Sequence, residues 1–211
     1  MIQTIRKAWG IPELRKKIVF TLLILLIFRV GNAIPTPYIN TELLGAYIDS
    51  TGGSLLSLYN VMSGGAFAQA TVFALGVQPY INSSIIIQLL TIAIPSLERL
   101  SKEEDGREKI ERITRYVGIG LALVQSIGIV ASLQSVSVDG QTLLTNPTFF
   151  TYATIGIICT AGTAFLVWLG ERITEKGIGN GISMILFAGI VSRIPQLVSN
   201  MVTSLSNGTL K

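Results

Sequence analysis

Three long stretches of this 211-residue chain carry no charged side chain: 50–97, 116–138 and 140–170. Most of the charge clusters in islands at 6–17, 98–115 and 171–176. A helix needs about 20 mostly apolar residues to cross a bilayer, and runs this free of charge read as spans. Five are expected, at about 18–34, 70–94, 113–133, 150–169 and 181–202, the last interrupted by Arg193 and Pro195. The competing reading, buried helices of a large soluble protein, fits poorly. Only 13% of residues are charged, against roughly 25% in an average soluble domain. The fold class expected is all-α, a polytopic membrane helical bundle forming a single transmembrane domain over 1–211.

The basic residues orient that bundle. Arg6, Lys7, Arg15, Lys16 and Lys17 precede the first span. Arg99, Lys102, Arg107, Lys109, Arg112 and Arg115 lie between the second and third, and Arg172 and Lys176 follow the fourth. The stretches 31–70 and 134–149 hold no Lys or Arg. Because cytoplasmic loops collect Lys and Arg, the N-terminus is expected inside and the C-terminus outside. The apolar core of the first span is followed by Arg29 and then Pro35 and Pro37, with no small-x-small cleavage pattern, so it does not read as a cleaved signal peptide.

Several activities are excluded by composition. With no His, the chain cannot hold a Ser-His-Asp triad, a Cys-His dyad or a His-ligated metal. A single Cys159 allows no internal disulfide and no thiolate cage. The net charge of +4 sits in membrane-flanking islands, not in a nucleic-acid patch. The glycine-rich KGIGNG at 176–181 matches neither a P-loop nor a dinucleotide fingerprint. No enzyme, metal or cofactor is expected.

Other features exceed what a plain bundle needs. The apolar piece 54–62 is too short to span and is bounded by Gly52-Gly53 and Gly64-Gly65, which break helices and serve as hinges. It reads either as an interfacial helix or as a re-entrant half-helix folded back into protein. The second span holds Pro79 and the polar Gln78, Asn82, Ser83, Ser84 and Gln88, which face another helix or a cavity. Ile81 and Ile85 are four apart, as are Ile182 and Leu186, so each pair shares a helical face. Two such pairs can make an apolar constriction, although any apolar helix offers this spacing. The loop 98–115 reads as a solvated loop or as a docking surface.

Longer strings carry a resemblance. GERITEKGIGNGISMILFAGIV at 170–191, SGGAFAQATVFALGVQPYINSSIIIQLL at 63–90, FRVGNAIPTP at 28–37 and ALVQSIGIV at 122–130 resemble, in order and spacing, the first half of the bacterial SecY family, channel subunits of the Sec protein translocase. That family has ten spans in two pseudo-symmetric halves around a pore, so the resemblance implies that this chain covers the N-terminal five-helix half. It implies that 54–67 is the plug, formed by Ser54, Leu55, Leu56, Leu58, Tyr59, Asn60, Val61, Met62, Ser63, Gly64 and Gly65. It implies that Ile81, Ile85, Ile182 and Leu186 supply one side of a pore ring. The second and third spans would supply one side of the lateral gate, with Gln125, Ile86 and Gln88 among its residues. Arg99, Lys102, Arg107 and Lys109 would face cytosolic partners.

The implied function is a channel that moves unfolded polypeptides across, or sideways into, the cell membrane. Its implied partners are SecE and SecG, the SecA motor ATPase or the ribosome, a preprotein with its signal peptide, and lipid; nucleic acid would be met only through the ribosome. Half of a secondary solute transporter is the alternative. Transporters place ionisable groups in the membrane for ion coupling, whereas only Arg29 and Arg193 interrupt spans here, near their outer ends. An intramembrane protease would need a Ser-His pair, paired Asp or HExxH within a span, and none is present.

Overall fold

The computed structural model describes residues 11–50, 55–134, 136–138, 141–144, 148–195, 198–199 and 202–203. Helices dominate. In chain order they are α1 (Pro12–Gly31), α2 (Thr41–Ser50), α3 (Leu55–Met62), α4 (Gln78–Ala93), α5 (Pro95–Ser101), α6 (Gly106–Gln134), α7 (Phe149–Lys176) and α8 (Gly181–Val191). A two-residue antiparallel ladder, β1 (Ser137–Val138) with β2 (Gln141–Thr142), links α6 to α7.

Two helices, α6 and α7, are each long and apolar enough to cross a membrane. Helices α4 and α5 qualify only as a pair, bent by 105° around Ile94. In α1 the uncharged run is confined between Lys17 and Arg29. In α8 the regular helix ends at Val191; a turn at 192–193 precedes further helical residues from Ile194. Residues 196–197 and 200–201 of the expected fifth span lie outside the described residues, as do Arg6, Lys7 and Ser54.

The second span begins later than expected. Residues 70–77 are a chain of turns, and the helix starts at Gln78, with Pro79 in its first turn. Proline suits that place because its missing N–H has no helical partner there anyway. The turns are held by distant backbone: Thr36 N–H donates to Ala70 O at 2.7 Å and Val72 N–H to Ile34 O at 3.0 Å. Ala70 and Gly76 both take positive φ, which a helix forbids.

Small residues and hydroxyls join several of the helices. Ser83 Oγ on α4 donates to Thr114 O on α6 at 3.0 Å, beside Gly118. Ser126 Oγ on α6 lies 3.4 Å from Gly156 O on α7. Glycines admit such close approach, and hydroxyls serve as interhelical glue where lipid offers no hydrophobic drive. Helices α1 and α8 run parallel. Thr21 Oγ1 accepts from Ile178 N–H at 3.2 Å near one end, and Arg29 Nη1 donates to Ser192 Oγ at 3.1 Å at the other. Between them and α7 lies an apolar core of Ile24, Phe28, Phe73, Leu166, Leu169, Ile173 and Ile185. The outward surface is equally apolar: Ile92 is 81% and Phe149 86% exposed, with Leu22, Leu26 and Val124 also open. A surface of this kind is suited to lipid or protein, not water.

Candidate functional site

The short apolar piece is a helix, α3, of eight residues, about 12 Å at 1.5 Å per residue. Its end is closed locally. Gly64 N–H donates to Val61 O at 3.1 Å and Gly65 N–H to Asn60 O at 2.8 Å, with φ of 70° and 90° at the two glycines. Asn60 Oδ1 accepts from Ala68 N–H at 3.0 Å, and Ser63 Oγ accepts from Phe67 N–H at 3.1 Å. Asn60 and Ser63 are both buried. The Gly64-Gly65 pair, read in the sequence as a hinge, is thus a corner hydrogen-bonded to the last turn of α3.

The corner rests on α8. A Cβ placed on Gly64 would stand 2.9 Å from both the Cα and the carbonyl oxygen of Gly189, closer than real side chains come. Backbone packs on backbone here. On its far side α3 leaves Leu58 and Val61 exposed. Ile182, Leu186 and Gly189 follow at intervals of four and three, so they share one face of α8. The seat of α3 thus lies one turn beyond Leu186 on the face that carries the expected ring residues.

Three of the four expected ring residues share one packing environment. Ile81, Ile182 and Leu186 are part-buried and pack against the same apolar core. Ile85 does not join them; it is 52% exposed one turn further along α4. Ile182 is partly committed to packing: a Cβ on Gly170 of α7 would lie 2.5 Å from its Cδ1.

The lateral-gate residues separate. Gln125 on α6 borders a groove of about 240 Å³ with Leu56 and Tyr59 of α3, and its buried Oε1 finds no partner. Ile86 and Gln88 are exposed on α4 outside that groove, Gln88 Nε2 donating to Ser84 Oγ at 3.3 Å.

The charged loop is largely self-neutralised. Lys102 pairs with Glu98 at 2.6 Å, Lys109 with Glu103 at 2.6 Å, Arg107 with Glu111 at 3.2 Å and Arg112 with Glu108 at 3.0 Å. Hydrogen bonding to Glu103 holds the Lys109 amine above its usual range. Arg115 pairs with Glu171, tying α6 to α7. Arg99 makes no ion pair among the described residues. Exposed pairs of this kind add little stability, so the loop keeps its side chains accessible.

One contact escaped the reading of the sequence. Arg29, Asn32, Gly64 and Gly65 line a common polar cavity. The only signal was an arginine at the end of an apolar run, followed by glycine and asparagine.

Comparison with known proteins bears on the family and the fold. The family model for SecY matches residues 71–210. The chain is 48% identical to the protein translocase subunit SecY of Buchnera aphidicola (subsp. Schizaphis graminum) over 94% of this chain and 45% of that one. It is 45% identical to the SecY subunit of Aquifex aeolicus, over 100% of this chain and 50% of that one. The chain therefore spans about half the length of the curated relatives it matches. In fold it resembles a solved protein-conducting channel, with a TM-score of 0.65 at 17% identity over 98% of this chain and 47% of that one. It also resembles a structure of SecY whose plug domain is described as stabilising the closed channel and maintaining a membrane seal, with a TM-score of 0.63 at 18% identity over 98% and 46%. A match through two thirds of the chain to the family model, and near-complete matches to its translocase subunits, place the chain in the SecY family of membrane-embedded protein translocase subunits.

Proposed function

We propose that this chain forms one half of a protein-conducting channel, with α3 as its plug and Ile81, Ile85, Ile182 and Leu186 as half of its ring. The observation that carries the reading is the shared face of α8. Ile182 and Leu186 point the same way as Gly189, on which the α3 corner is seated. A ring and its stopper must lie in register along one path, and this face supplies both.

The chemistry suits the task. Aliphatic side chains offer no hydrogen bonds, so they close around a passing chain without selecting its sequence. A plug seated by backbone contact between Gly64 and Gly189 leaves at small cost, because the bonds of Asn60 and Ser63 stay within the corner. An apolar segment leaving sideways needs a seam between helices, and α4 and α6, with Ile86, Gln88 and Gln125, supply one side of it. No bond is made or broken, so the driving force comes from outside the chain: SecA or the ribosome at the face of Arg99, Lys102, Arg107 and Lys109. SecE and SecG complete the assembly, and the N-terminus is cytoplasmic.

Photocrosslinking tests the path. In a full-length SecY carrying this segment, a photoreactive residue at Ile85 should capture a translocation-arrested preprotein, while one at Leu22 should capture lipid only. Equal capture at both positions, or none at Ile85, would refute it.

A further inference from the structure

The cavity at the α3 corner has a chemistry that the channel reading does not use. It measures about 100 Å³, several times what one water needs. Arg29, Asn32 and Gln69 line it, together with the Gly64–Gly65 corner. Asn32 is only 6% exposed, and neither its Nδ2 nor its Oδ1 has a partner. Buried amides are costly to leave unpaired, so such a side chain points to something that fills the space beside it.

The surrounding charge says what kind of group that is. Arg29 spends one donor on Ser192 Oγ and has five in all. The Arg193 Nε lies near the same corner, 3.8 Å from where a Gly65 Cβ would stand. Neither guanidinium forms an ion pair among the described residues. Two unneutralised cations beside a buried amide donor, at the edge of an apolar bundle, set up a positive potential that favours an anion over water.

We propose that the cavity is an anion site for one monovalent anionic group, held by Arg29 and the Asn32 amide with Arg193 at its edge. The group is either a free halide-sized ion or a carboxylate from the part of the full-length protein outside this chain. When filled, it ties the corner of α3 to the ends of α1 and α8 that meet at Arg29 and Ser192. The site stands on its own geometry; only its effect on gating rests on the channel reading.

Bromide is the probe. Full-length protein is purified in gluconate, then thermal unfolding is followed as bromide replaces gluconate at constant ionic strength, and bromide-soaked crystals are examined by anomalous diffraction. A free-ion site should raise Tm by roughly 1–3 °C, lose that rise in Arg29→Gln and Asn32→Leu, and show an anomalous peak at Arg29. Should Arg29→Gln fail to fold, Asn32→Leu alone is read, since it keeps both guanidiniums. If the group is a carboxylate of the same protein, bromide has no effect and density shows that carboxylate on Arg29. A cavity holding only water, with unfolding indifferent to bromide, overturns the proposal. The outcome is independent of whether the protein conducts polypeptides.

Discussion

Three glycine substitutions separate unseating of α3 from strain within it. Gly64→Ala introduces two costs. Its φ of 70° is left-handed, which costs a side-chain-bearing residue roughly 1–2 kcal/mol. Its Cβ would also stand 2.9 Å from the Cα and oxygen of Gly189, so the corner must back away by several tenths of an ångström. Overpacking of this size costs about 1–3 kcal/mol. The first cost is present whether or not α3 is seated, because the corner is stitched to α3 through Asn60 and Ser63. Only the second acts on the seated state alone.

Gly65→Ala isolates the first cost. Its φ is 90°, but its Cβ would meet only Arg193 Nε at 3.8 Å. Gly189→Ala is a mild version of the second, since its Cβ would lie 3.3 Å from Met62 O and 3.5 Å from Gly64 N. Resting conductance of the full-length channel in planar bilayers reads the unseated population, and thermal unfolding reads the strain. A penalty of about 1–3 kcal/mol on the seated state multiplies the open population by about 5–150-fold. Gly64→Ala should therefore both leak and melt early, Gly65→Ala should melt early without leaking, and Gly189→Ala should do little of either. If Gly65→Ala leaks as much as Gly64→Ala, or Gly64→Ala stays ion-tight while folded, contact with Gly189 does not hold the channel shut.

Two further outcomes are expected in the same full-length protein. Ile85→Ser should leave Tm nearly unchanged and raise ion leakage, because Ile85 is half-exposed, whereas Ile182→Ser should add a stability loss toward the low end of about 2–5 kcal/mol for large-to-small core changes, because Ile182 packs on Gly170; equal Tm losses would place both in ordinary packing. Cysteines introduced at 51 and 140 should label from outside intact cells and one at 102 should not, as Lys and Arg placement requires; labelling at 102 alone would invert the topology.

What the sequence made legible follows from which forces are local. Charge-free runs announce membrane helices because a charge in hydrocarbon is costly wherever it falls along the span, and α6 and α7 lie where those runs lie. The length of 54–62 announced a helix too short to cross. The start of α4 was not legible. Residues 70–77 are as apolar as the helix that follows, and what turns them is hydrogen bonding to Ile34 and Thr36. No periodicity within 70–77 records a partner more than thirty residues upstream.

The ring shows the same boundary more sharply. Spacing of four put Ile182 and Leu186 on one face, and the resemblance named the face. Neither indicated that Ile182 leans on Gly170 while Ile85 stays open, because that depends on where α7 presents a residue without a side chain. The extension of that face to Gly189 was present in the sequence as an interval of three. It gained meaning only once Gly64, 125 positions away by number, was found against it. A glycine facing a glycine leaves no hydrophobic or charge signature in either segment, yet it fixes how closely α3 approaches α8. It follows that the seat should be more sensitive to added volume than to lost polarity. A methyl group at Gly64 should disturb the closed state more than removal of the Ser63 hydroxyl, since the Ser63 bonds stay within the corner and do not reach across to α8.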